Sequence, residues 1–168
     1  MEVINQMNNK SLAKILDALV VLGIVITGIL LLTSPLILSA FFKSQFSLLD
    51  QNLVIKTTIT LYLCALPYLI ALLKLKKLSS LVVINNPFSI TSVKSLKTIS
   101  ICAFSEIFIF AVSLSYLKES TDFFSYIVLG APIIVVTFIC VTIGFLCLVL
   151  SQLFEVAIEI KEENDKTI

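Results

Sequence analysis

Long apolar runs separated by short polar stretches set the period of this chain. The runs extend from Ala18 to about Leu38, from Leu53 to Leu73, from about Ile99 to Leu117, and almost unbroken from Pro132 to Leu150. Each approaches the roughly 20 residues with which a helix crosses a hydrocarbon core about 30 Å thick. The pattern predicts an all-α fold, a four-helix transmembrane bundle in one domain over residues 1–168, with helices extending into the cytoplasm. Spans fall at about 16–38, 53–73, 99–117 and 127–151, leaving a cytoplasmic loop at 74–98 and a cytoplasmic tail at 152–168. A cleavable signal peptide would have an apolar region of about 7–15 residues, so the longer first run predicts a retained span.

The runs also carry their own punctuation. Pro35 is expected to bend or end the first helix and Pro67 to kink the second. Leu75, Leu78, Leu81 and Val82 recur at helical spacing, which carries the second helix past the membrane. Asn85-Asn86-Pro87 then stops it, and Ser89 or Thr91 is the expected N-cap of the third. Within the fourth run, Thr137, Cys140, Gly144, Cys147 and Ser151 follow a three-four-three-four spacing and form one stripe of small residues. Such a stripe lets a neighbouring backbone come close where lipid offers helices no hydrophobic drive to associate.

Glu106 is the only acid deep in a span. It lies about eight residues past Lys97 and Thr98, or roughly 12 Å into the core. One face of the third span holds Cys102, Glu106, Ile109, Ser113 and Tyr116, and this semi-polar side is expected to meet the small stripe of the fourth. Two readings of Glu106 stand: a proton- or ligand-responsive switch, or a carboxyl kept neutral and hydrogen-bonded to a Ser, Thr or Tyr of the bundle.

Composition confirms the class and narrows the chemistry. A hydrophobic share of 58% and a mean hydropathy of +1.08 lie above the soluble range of about 45–50% apolar. There is no His, Arg or Trp, so all 12 basic residues are Lys and forked contacts to phosphate or carboxylate are unavailable. No paired acids, Gly-rich phosphate loop or nucleophile with a base stands at useful spacing, and the chain is expected not to be an enzyme. Cys64, Cys102, Cys140 and Cys147 sit in apolar runs without metal-ligand spacing, so neither metal nor cofactor is expected.

Charge is segregated. Nine Lys (Lys10, Lys14, Lys74, Lys76, Lys77, Lys94, Lys97, Lys161, Lys166) flank one side of the predicted spans, against Lys43, Lys56 and Lys118 on the other. The positive-inside rule puts both termini in the cytoplasm. The loop from Lys74 to Lys97 is purely basic, whereas the tail carries Glu155, Glu159, Glu162, Glu163 and Asp165 against Lys161 and Lys166. The lipid bilayer is the first partner this implies, and direct nucleic-acid binding is not expected.

Two segments carry more than composition. The central turn Asn86, Pro87, Phe88 leads into a basic helix, and the chain closes with Phe154, Ala157, Glu162, Glu163, Asn164, Asp165, Thr167 and Ile168. Both resemble the signatures of a bacterial family of small four-span membrane proteins catalogued only as a domain of unknown function. Lys166 departs from the apolar residue usual there, and Lys94 and Lys97 stand without the Arg common nearby. The resemblance implies a multi-pass protein of the bacterial plasma membrane, often encoded beside a small Xre-type helix-turn-helix regulator. An acidic tail is suited to the basic face of such a partner.

Two functions are weighed. In the first, a non-enzymatic sensor or tether holds a cytoplasmic partner through Lys76, Lys77, Asn86, Pro87, Phe88, Lys94 and the closing residues. The alternative is a small transporter or channel subunit whose Glu106 lines a path in a homo-oligomer.

Overall fold

The computed structural model describes residues 2–46, 51–84, 86–121, 124 and 130–166. Four long helices carry them: α1 (Glu2–Phe46), α2 (Gln51–Val83), α3 (Ile90–Ser120) and α4 (Gly130–Lys166). No strand occurs among the described residues. All four are long and apolar enough to cross a membrane. The start of the fourth span near 127 lies outside the described residues, as do Thr167 and Ile168.

Local chemistry sets the ends. α2 stops at Val83, and Ser89 caps α3 with an extended backbone (φ −136°, ψ 153°), its Oγ accepting from the Ser92 N–H at 3.2 Å. This decides the cap between Ser89 and Thr91. Pro132 occupies the third position of α4, in the first turn, where no intrahelical donor is missed.

α1 runs through Pro35 for a further 11 residues to Phe46, so the proline does not end the helix. The reason lies one turn earlier. Proline lacks the N–H that would bond the carbonyl of Leu31, and that oxygen accepts two hydroxyls instead: Ser34 Oγ at 2.8 Å and Tyr62 Oη, from α2, at 3.0 Å. Re-satisfying a freed carbonyl is the condition for proline within a membrane helix. We predict that Tyr62→Phe lowers thermal stability in detergent by about 1 kcal/mol and that Ser34→Ala on top of it costs more than the sum. Strict additivity would show that the two hydroxyls do not share the carbonyl.

The helices pack in series. α1 packs on α2, α2 on α3 and α3 on α4, with no close approach of α1 to α3 or α4 among the described residues. Cross-ties fix each neighbouring pair as antiparallel: Asp17 to Lys76 between α1 and α2, Lys56 to the Ser120 carbonyl between α2 and α3, and Lys97 to Glu155 between α3 and α4. Helix α3 is central. Its buried residues include Ser92, Ser95, Ser100 and Ser113, joined by Ser79 of α2 and Ser151 of α4. Small side chains at every seam are what close approach in lipid requires.

The outward faces are apolar. Leu32, Phe108, Phe138 and Ile134 are each more than 70% exposed. No water-soluble monomer tolerates such a surface over its whole girth, so these faces meet lipid. The protein is a multi-pass integral membrane protein.

Candidate functional site

The N-terminal half of α1, the C-terminal end of α2, the N-terminal end of α3 and the C-terminal end of α4 lie at one end of the molecule. Two ion pairs and one aromatic contact organise it. Lys76 Nζ donates to Asp17 Oδ2, and Ser79 Oγ donates to the other oxygen, Oδ1, at 3.1 Å. Both charged side chains are about one-third exposed, at 35% and 27%. A pair so placed is worth more than a fully solvated one, because solvent screens it less. Lys76 thus serves the α1–α2 seam, while Lys77 and Lys94 remain exposed.

Across the molecule, Lys97 Nζ reaches both oxygens of Glu155, at 3.0 and 3.3 Å. This pair is well exposed and contributes little. The firmer contact lies beside it. The ring of Phe88, in the turn between α2 and α3, rests on the ring of Phe154 of α4, with centroids 5.0 Å apart and planes tilted by 60°. Aromatic pairs at this spacing contribute about 0.5–1.5 kcal/mol beyond the area they bury.

The two segments singled out in the sequence therefore meet in space. Asn86, Pro87 and Phe88 form the turn, and Phe154 and Ala157 the facing surface, with Pro87, Phe154 and Ala157 half-buried. Beyond Glu159 the tail does not fold back: α4 continues as a helix with Glu162, Glu163, Asn164 and Asp165 on its exposed last turns. At 1.5 Å per residue, Asp165 stands roughly 15 Å beyond Glu155. The result is an acidic rod rising from an aromatic clasp, at the end of the molecule that also carries Lys77 and Lys94.

Within the membrane, the α4 stripe faces α3. Gly144 and Ser151 are buried and Thr137, Cys140 and Cys147 are half-buried. The ring of Phe104 lies directly over Gly144, where an added Cβ would come within 2.8 Å of it. Phe104 also packs edge-on against Phe145, with centroids 5.6 Å apart.

Glu106 does not face Gly144, though it stays within electrostatic reach of Cys140 on the stripe. Two residues along a helix are about 200° apart, so when Phe104 turns to α4, Glu106 turns the other way. It lines a cleft of about 440 Å³ with Thr27, Leu30 and Leu31 of α1 and Leu61, Cys64, Ala65 and Tyr68 of α2. Its Oε2 is buried with no hydrogen-bond partner among the described residues, so the bond to a Ser, Thr or Tyr weighed from the sequence is not made through that oxygen.

The Asp17–Lys76–Ser79 tie went unread in the sequence, although its signal was present. Asp17 stands at the same edge of the membrane as the Lys74–Lys77 cluster, and an acid beside three cations has a partner close by.

A family model described as "Protein of unknown function (DUF2975)" matches residues 40–168. The chain is also similar to the uncharacterized membrane protein YoaS of Bacillus subtilis (strain 168), at 31% identity over 165 residues, covering 96% of this chain and 100% of that one. No solved structure matches it.

Proposed function

We propose that this chain, which belongs to the DUF2975 family of proteins of unknown function, is a non-enzymatic membrane tether that holds a cytoplasmic partner at its charged end. The observation that carries this reading is the tilted ring contact of Phe88 with Phe154, which joins the turn and the tail into one surface. Neither segment could present a fixed surface alone. A turn wanders without a contact, and a lone helix end frays.

The surface suits a small basic protein. Glu159, Glu162 and Asp165 are exposed along the last turns of α4 and offer carboxylates to cationic side chains. A helix-turn-helix regulator of the Xre type has such a face where it binds DNA, so tether and DNA would compete for it. Lysine bias supports the orientation this requires, in the bacterial cell membrane with both termini in the cytoplasm. A reporter active only in the cytoplasm, fused after Ile168, checks that orientation, and a signal from the far side would overturn it.

The tether is tested by deleting residues 162–168. Insertion and assembly should be unchanged, because every helix–helix contact described lies upstream. Capture of a basic helix-turn-helix regulator by the solubilised protein should fall at least about tenfold, and more steeply at low salt. Undiminished capture by the truncated protein would reduce the tail to a solvated helix end.

A further inference from the structure

We propose that the cleft between α1, α2 and α3 is a binding site for lipophilic organic cations, with Glu106 as the group that receives the positive charge. The inference stands on the cleft alone and is independent of the tether reading.

The cleft has the build of a small-molecule site. Its volume of about 440 Å³ lies within the range of about 300–1,000 Å³ usual for ligand pockets. Its wall is almost wholly apolar, from Leu30, Leu31, Leu61, Ala65 and the ring of Tyr68, and a single acid interrupts it. Its form follows from the serial packing. α1 closes over α2 without reaching α3 or α4, so the space in front of Glu106 is left unfilled and open at the side.

Charge then selects the occupant. A carboxylate deep in hydrocarbon is costly unless a cation or hydrogen-bond donors meet it. Among the described residues lining the cleft there is no Lys, and Thr27 spends its hydroxyl on the Gly23 carbonyl of its own helix at 2.8 Å. Glu106 Oε2 is therefore left buried and unmatched. An anionic ligand, or a neutral one without a hydrogen-bond donor, would leave it so, and the apolar wall disfavours a ligand rich in donors. A monovalent cation clothed in apolar groups satisfies both wall and acid, and Tyr68 adds an aromatic face that attracts such charges. A small hydrated metal ion fits poorly, since one carboxylate and an apolar wall cannot replace its water.

Tetraphenylphosphonium is a suitable probe, because its charge is permanent and its surface wholly apolar. The full-length protein in detergent should bind radiolabelled probe saturably, with Glu106→Gln weakening binding at least about tenfold and Glu106→Asp retaining most of it. Ala65→Phe, which keeps the acid and fills the cleft, should weaken binding as well. Neutral tetraphenylsilane should not distinguish wild type from Glu106→Gln. Equal uptake of the cation by wild type and Glu106→Gln would mean partition into the detergent shell only, and would overturn the site. Loss in Glu106→Gln with full binding by Ala65→Phe would place the cation elsewhere on Glu106 and overturn it too.

Discussion

Gly144→Leu should be the most damaging single substitution in the membrane region, costing about 3 kcal/mol or more and sharply lowering the amount of protein that accumulates in the membrane. The reason is geometric. A Cβ at 144 would already lie 2.8, 3.0 and 3.1 Å from three atoms of the Phe104 ring. These atoms are the far end of a side chain, so Gly144→Ala can be met by a small swing of the ring and should be mild. Leucine brings three further carbons into the same space, and Phe145, packed edge-on against the ring, limits how far it can move. The α3–α4 seam must then open. Val149→Leu, on the exposed face of the same helix, adds one methylene toward lipid and should be nearly silent. Pairing Gly144→Leu with Phe104→Ala should recover much of the loss, because the leucine then enters the space the ring vacates. Equal accumulation of the Gly144→Leu and Val149→Leu variants, followed by quantitative membrane blotting, would remove the stripe from the packing argument.

The second large effect is expected at the opposite seam. Lys76→Glu puts two carboxylates where one ammonium now meets Asp17, and should lower thermal stability by more than the loss of a fully exposed pair would, because both side chains are partly shielded from solvent. The effect is amplified by the serial packing. α1 is held to the molecule through α2, so a weakened α1–α2 seam has no second interface to share the load. Reversing both charges, with Asp17→Lys beside Lys76→Glu, should restore most of the lost thermal stability in detergent. If the double reversal is no more stable than Lys76→Glu, the pair is not what joins the helices. The equivalent reversal at Lys97, paired with well-exposed Glu155, should change stability by no more than about 1 kcal/mol.

These expectations differ in how far the sequence anticipates them. The small-residue spacing of the fourth run was enough to choose Gly144, because a three-four-three-four pattern can only be a stripe on a helix. It did not name the ring that fills the groove. The semi-polar face of the third span was equally legible as a face, yet it was expected against α4, whereas Glu106 lies in the cleft with α1 and α2. Sequence periodicity gives angles within a helix, and says nothing of which neighbour stands at each angle. Pro35 shows the same limit from the other side. The missing donor is certain from the sequence, but the helix passes through because a tyrosine 27 residues further on supplies a hydroxyl to the orphaned carbonyl.

By itself, then, the sequence determined that there are four membrane helices, where the turn before α3 falls and which end is charged. These follow from the cost of burying polar backbone and charge in hydrocarbon, a local property of each segment. Only the tertiary structure decided that the helices pack in series, that Lys76 serves a seam and Phe88 meets Phe154, and that a cleft opens before Glu106. Those outcomes depend on side chains tens of residues apart competing for the same neighbours. In lipid such competition is settled by close packing and hydrogen-bond satisfaction, with no hydrophobic gradient between one lipid-facing surface and another.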